Sequence, residues 1–81
     1  MIPFTGKQLQ LIQLLMEQST PIALDEISQL LHAGRRSVYY IVNKTNEVLQ
    51  MNALKPVMCK RGAGYFLLDE QKQQLSALLK K

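Results

Sequence analysis

A mainly helical α+β fold is the expectation for this 81-residue chain, and three observations lead to it. Ahead of Pro56, three stretches repeat apolar residues at the spacing of one helix face. Residues 57–60 and 65–68 are short apolar or aromatic runs on either side of Gly62-Ala63-Gly64, the pattern of a β-hairpin. A last apolar stripe, Leu75, Leu78 and Leu79, follows Asp69. The order is therefore three helices, a two-stranded hairpin and a C-terminal helix. Residues 1–68 form the domain, and residues 69–81 are a C-terminal helix or a linker to a regulatory module absent from the chain.

The first helix opens at Thr5. Thr5-Gly6-Lys7-Gln8 has the form of a capping box, with the Gln8 side chain reaching back to the cap. Leu9, Ile12 and Met16 lie on one face, with Leu11 and Leu15 beside them. The helix stops near Gln18, because Ser19-Thr20-Pro21 reads as a turn and a residue before proline avoids helical backbone. Pro21-Ile22-Ala23 is a short extended link or stub of strand.

Asp25 and Glu26 begin the second helix, where two acids suit the positive end of the helix dipole. Ile27, Leu30 and Leu31 form its inward stripe. His32-Ala33-Gly34 breaks it: histidine tolerates the left-handed closing position better than most residues, and Gly34 takes positive φ or caps the next helix. His32 is read as structural and exposed, not as a ligand. The third helix runs from about Arg35 to Met51; Asn52 ends it, and Pro56 bars any continuation. In the hairpin, Cys59 alternates with Val57 and is read as an inward, inert thiol. The Gly-x-Gly turn is not a phosphate cradle, because no helix N-terminus follows it at the needed distance. Asp69 caps a final helix that continues through Lys81.

The third helix has two unlike faces. With Val38 at the origin, Ile41, Val42, Thr45 and Leu49 fall within roughly 60° of it and must be buried. The opposite face carries Arg36, Tyr40 and Asn43, flanked by Tyr39 and Lys44. These side chains are cationic, planar or hydrogen-bonding, which suits phosphates and base edges in a DNA major groove. A solvated surface helix is the plain alternative. Charge is also concentrated here. Between His32 and Phe66 stand Arg35, Arg36, Lys44, Lys55, Lys60 and Arg61 against Glu47 alone, a net +5 in a chain of net +4. A basic half on a small domain is the electrostatic footprint of a nucleic-acid binder. An anionic membrane surface fits less well, since no amphipathic helix has a Lys/Arg-rich polar face.

Composition narrows the classes. A chain this short buries only about 60% of its unfolded surface, so its core is small. No apolar run is long enough to span a membrane, and no secretory leader is evident. One cysteine forms no internal disulfide, and no Cys/His cluster suggests a metal; a cytoplasmic setting is the expectation. No nucleophile with a partner, general base or metal constellation suggests an enzyme, and no cofactor is implied.

A short helix, a turn of about three or four residues containing glycine and a second helix form a helix-turn-helix. With a basic hairpin behind it, the order is that of a winged helix. The stretches ISQLLHAGRRSVYYIVNKTNEVL and KRGAGYFLL resemble the N-terminal DNA-binding domain of the PTS-regulation-domain transcriptional regulators, the mannitol-operon-activator and BglG-like proteins. Arg36-Ser37-Val38 matches the start of that family's recognition helix, Asn46-Glu47 its end, and Lys60-Arg61-Gly62-Ala63-Gly64-Tyr65 its wing. The match covers about residues 5–70. His32 stands in place of the usual turn glycine, Gly34 in place of a capping serine, and Ile41 in place of an aspartate.

The resemblance implies a transcription regulator of sugar phosphotransferase uptake or carbohydrate-metabolism genes, here as a fragment or a short stand-alone relative, with any homodimer formed through a regulatory region outside this chain. The residues expected to contact double-stranded DNA are Arg35, Arg36, Ser37, Tyr39, Tyr40, Asn43, Lys44, Lys60 and Arg61. The alternative is a winged helix used for protein contact, with Tyr39 and Tyr40 as its hot spot. RNA is a further alternative because antiterminators belong to the same family, although no aromatic stacking sheet is present.

Overall fold

The computed structural model describes Phe4 and residues 6–79. Its elements are α1 (Gly6–Glu17), α2 (Leu24–Leu31), α3 (Arg35–Met51), β1 (Met58–Lys60), β2 (Gly64–Phe66) and α4 (Asp69–Leu79). The fold is mainly helical with one two-stranded antiparallel sheet, in which Met58 pairs with Phe66, Cys59 with Tyr65 and Lys60 with Gly64. The expected Thr5 cap lies outside the described residues, as does any extension of α4 to Lys81.

The three N-terminal helices surround one core. Leu11, Ile12 and Leu15 of α1 meet Ile27 and Leu31 of α2, and Val38, Ile41, Val42 and Leu49 of α3. The centre of the α1 face differs from the expected one: Leu9 and Met16 are only partly buried, at its margins. This amphipathic stripe is wide, and α1 packs on both α2 and α3, so the position of two neighbours selects its middle. In α2 the expected stripe is also corrected. Ile27 and Leu31 are buried one turn apart, but Leu30 is 52% exposed and borders an open groove with Leu14 of α1. An eight-residue helix packed along one line buries only the residues on that line.

The ends of the helices are set by backbone geometry. His32 takes the left-handed conformation at φ 53°, and the Ala33 N–H donates to the Ser28 carbonyl at 3.0 Å, closing α2 as expected. Gly34 adopts φ −69°, ψ 165° and serves as the N-cap of α3 without a side-chain hydrogen bond. Past Asn52, Ala53 is left-handed at φ 60°, and the Leu54 N–H reaches the Leu49 carbonyl at 2.8 Å. Two lysines cap helix ends from a distance: Lys7 Nζ donates to the Leu31 carbonyl, and Lys72 Nζ donates to the Gln18 carbonyl at 2.6 Å.

Among the described residues, two polar side chains are buried, and both are satisfied. Thr45, on the inner face of α3, donates its hydroxyl to the Ile41 carbonyl at 2.7 Å. Gln71 was not anticipated in the core. Its Oε1 accepts the Leu68 N–H at 2.8 Å, and its Nε2 donates to the Pro56 carbonyl at 2.7 Å. The Lys72 N–H bonds the Leu68 carbonyl, which makes Leu68 the cap of α4 and corrects the assignment of that role to Asp69. Gln71 supplies the reaching-back half of a capping box whose other half is absent. Gln71 and Leu75 seat α4 on the core beside the hairpin's base.

The hairpin is tied to the helices at two points. Asn46 of α3 accepts the Val57 N–H through Oδ1 at 2.8 Å, just ahead of β1. The link residue Ile22 forms an antiparallel bridge with Tyr65, bonded in both directions at 2.8 and 2.9 Å. Gly64, at φ 127°, lies against this bridge so closely that a Cβ there would sit 2.1 Å from the Ile22 carbonyl oxygen. Gly62 has φ 84° but nothing within 4 Å.

Two substitutions should separate these glycines. Gly62→Ala should cost only the left-handed penalty of about 1–2 kcal/mol. Gly64→Ala should cost clearly more, because a backbone carbonyl must move, and the comparison of their urea denaturation midpoints measures the difference. In the opposite direction, Ala53→Gly relieves a left-handed alanine and should raise stability by about 0.5–1 kcal/mol, seen as a thermal midpoint a few degrees higher.

Candidate functional site

The exposed residues of α3 and the turn of the hairpin form the candidate site. Its geometry begins with the burial of Val38, Ile41, Val42, Thr45 and Leu49 against the other helices, which turns the opposite face of α3 outward along its 17 residues. Arg36, Ser37 and Asn43 are exposed there, and Tyr40 is 62% exposed. The first turn of α3 has no side-chain cap, so the positive end of its dipole lies beside Arg35 and Arg36 without a capping acceptor from Gly34.

The remaining predicted residues fall into two groups. Tyr39, 51% exposed, joins Lys60 and Arg61 in lining a pocket of about 280 Å³ between α3 and the hairpin, together with Ala23, Leu24 and residues 62–64. These three site residues, distant in sequence, are thus adjacent. No acidic residue lines the pocket. Lys44 and Arg35 are engaged within the chain. Lys44 Nζ lies 3.3 Å from Glu47 Oε2 and 5.5 Å from the centre of the Tyr40 ring, so it draws that ring and Glu47 into one cluster on the helix flank. Arg35 donates from Nε at 2.7 Å, and from Nη2, to Asp25 Oδ1 of α2. The expectation of a freely available Arg35 did not anticipate this partner. Asp25 reads locally as a dipole-stabilising acid, and its ten-residue separation from Arg35 leaves no periodic signal.

Cys59 is exposed, which corrects its reading as a buried thiol. The hairpin is fully buried only at its base, through Val57 and Leu67; β2 is half-buried along its length, and Cys59 and Lys60 of β1 are exposed. Alternation puts Cys59 on the face of Val57, Tyr65 and Leu67, and the core beneath that face covers Val57, Leu67 and part of Tyr65 but does not reach Cys59. Cys59 instead borders the pocket opposite Tyr65. Partial burial raises the Tyr65 phenol above the ordinary 10.0, reinforced by the nearby Cys59 and Tyr39 side chains. His32 is exposed at the α2–α3 turn. Among the described residues, no group of three or more His, Cys, Asp or Glu side chains could hold a metal ion, and no helix is long and apolar enough to cross a membrane.

Comparisons with protein families, curated proteins and solved structures found no match to this chain.

The tyrosine shift has a measurable sign. Because the folded state holds the Tyr65 proton more tightly than the unfolded chain, its effect on stability is constant below pH 10.0 and is lost as pH rises above that value. In an ultraviolet titration of phenolate absorbance, Tyr65→Phe should remove a step lying above that of free tyrosine. The variant should also lose less stability than the parent on passing into strongly alkaline buffer.

Proposed function

We propose that the chain is a winged helix-turn-helix that binds double-stranded DNA within a transcription regulator, with α2 and α3 as the helix-turn-helix and the β1–β2 hairpin as the wing. The observation that carries this reading is the exposure of Arg36, Ser37, Tyr40 and Asn43 on α3, together with the pocket, lined by no acid, in which Tyr39 of the same helix meets Lys60 and Arg61 of the hairpin. The physical argument is the division of labour seen in such surfaces. A helix presenting a fork-shaped guanidinium and an amide toward solvent suits base edges in the major groove, whereas cations on a glycine-rich turn suit phosphates. Arg36 is assigned to a guanine edge, Ser37 to a phosphate, and Tyr40 and Asn43 to base or sugar-phosphate groups. Lys60 and Arg61 are assigned to the backbone or the minor groove. Control of sugar phosphotransferase genes is the specific role that the family resemblance adds.

A second reading, protein contact through Tyr39 and Tyr40, is favoured by their large exposed area. The surrounding cations weigh against it, because charge is depleted at the centre of protein interfaces.

Binding isotherms on a selected duplex and a scrambled one, at several salt concentrations, test the proposal. With up to about six phosphate contacts, log K should fall against log salt with a slope no steeper than about −5. Arg36→Ala should lose about 1–3 kcal/mol on the selected site and much less on the scrambled one. Replacing Lys60 and Arg61 together should weaken both about equally and reduce the slope by about two contacts. Affinity indifferent to salt would remove the electrostatic basis of the reading. Unchanged DNA binding in both variants, with Tyr39 and Tyr40 replacements abolishing a protein complex, would transfer the surface to the second reading.

A further inference from the structure

We infer that Asp25 acts as an internal competitor for phosphate: its carboxylate holds Arg35 and limits what that cation contributes to duplex binding. The inference rests on the DNA-binding reading and adds to it a residue that sets affinity from outside the contacting surface.

Arg35 is the first residue of α3, and on the helical wheel it lies about 60° from Val38, on the side shared with Val42 and Tyr39. That side faces the start of α2, where both Nε and Nη2 of Arg35 donate to Oδ1 of Asp25. The two side chains are each 65% exposed, so the pair is solvated and does not hold up the core. An exposed pair of this kind restrains its arginine only weakly, by a factor of up to about five. A phosphate oxygen accepts from guanidinium in the same manner as a carboxylate oxygen, so the two compete for the same N–H groups.

The position makes the competition relevant. Ala23 and Leu24, immediately ahead of Asp25, line the pocket with Tyr39, Lys60 and Arg61. A DNA strand drawn to those cations would pass the Asp25–Arg35 pair at the pocket's edge. Removing the Asp25 charge would abolish a repulsion and also release Arg35, and only the second effect requires Arg35 to be present.

The test therefore uses the full chain with Asp25→Asn, Arg35→Ala, the double variant, and Glu26→Gln as a control. Glu26 is exposed in the same helical turn and has no ion pair among the described residues. Fluorescence anisotropy on a scrambled duplex reads the affinity. Asp25→Asn should bind about three- to fivefold more tightly than the parent at low salt, with a salt slope steeper by about one contact. Glu26→Gln should gain less. In the Arg35→Ala background, Asp25→Asn should gain no more than Glu26→Gln does. A gain from Asp25→Asn that survives intact without Arg35 would reduce Asp25 to simple repulsion and overturn the inference. Weaker binding by Asp25→Asn would overturn it in the other direction, making Asp25 a residue that positions Arg35 for contact. If the parent binds duplex and Asp25→Asn binds equally well, the inference fails while the DNA reading stands. A parent that binds no duplex ends both. In circular dichroism melts both variants should lose slightly, since each loses one acid from the same helix start, and Asp25→Asn should fall below Glu26→Gln by no more than the few degrees that an exposed ion pair is worth.

Discussion

Two backbone hydrogen bonds, between the N–H and carbonyl of Ile22 and those of Tyr65, join the link ahead of α2 to the second strand of the hairpin. A two-stranded ribbon is marginal by itself in water, and no residue of either strand here is fully buried. The bridge gives it a third, one-residue partner and fixes its direction relative to α2 and α3. Gly64 makes the approach possible, because any side chain at that position would collide with the Ile22 carbonyl. The pocket between Tyr39 and the hairpin turn, and the proximity of Lys60 and Arg61 to α3, follow from that one close contact.

Helix α3 carries the other constraint. Its inner face is occupied along most of its length, from Val38 to Leu49, and the polar Thr45 is accommodated there by a bond to its own helix. A helix held so firmly has little rotational freedom, so the direction of Arg36, Tyr40 and Asn43 is decided by the core residues between them. Asn46, on the flank of the same helix, bonds the chain just ahead of β1. The helix and the hairpin are therefore positioned by shared contacts, which is what a surface composed of both requires. The cations on that surface differ in availability: Arg35 and Lys44 have acidic partners within the chain, whereas Arg36, Lys60 and Arg61 have none among the described ion pairs.

Much of this was legible in advance. The 3.6-residue period outlined three helices, the glycine turn outlined the hairpin, and α3 runs over the residues that its pattern indicated. The candidate residues on α3 were legible for the same reason, since the exposed face is what remains once the apolar face is buried. The departures share a cause. Leu30 is apolar and exposed, Cys59 alternates with a buried residue yet is exposed, and Gln71 is polar yet buried with both ends of its amide bonded. In each case the local pattern reports which way a side chain points, and burial depends on whether another element is there to meet it.

The sequence by itself determined the elements, their order, the two faces of α3 and the concentration of positive charge between His32 and Phe66, because these depend on residues within a few turns of one another. The tertiary structure alone decided that Ile22 pairs with Tyr65, that Asp25 holds Arg35, that Gln71 bonds the Pro56 carbonyl, and that Tyr39 stands beside Lys60 and Arg61. Those contacts join residues from ten to over forty positions apart. Their distances are set by how the helices cross and where the hairpin is anchored, and no periodicity along the chain encodes either.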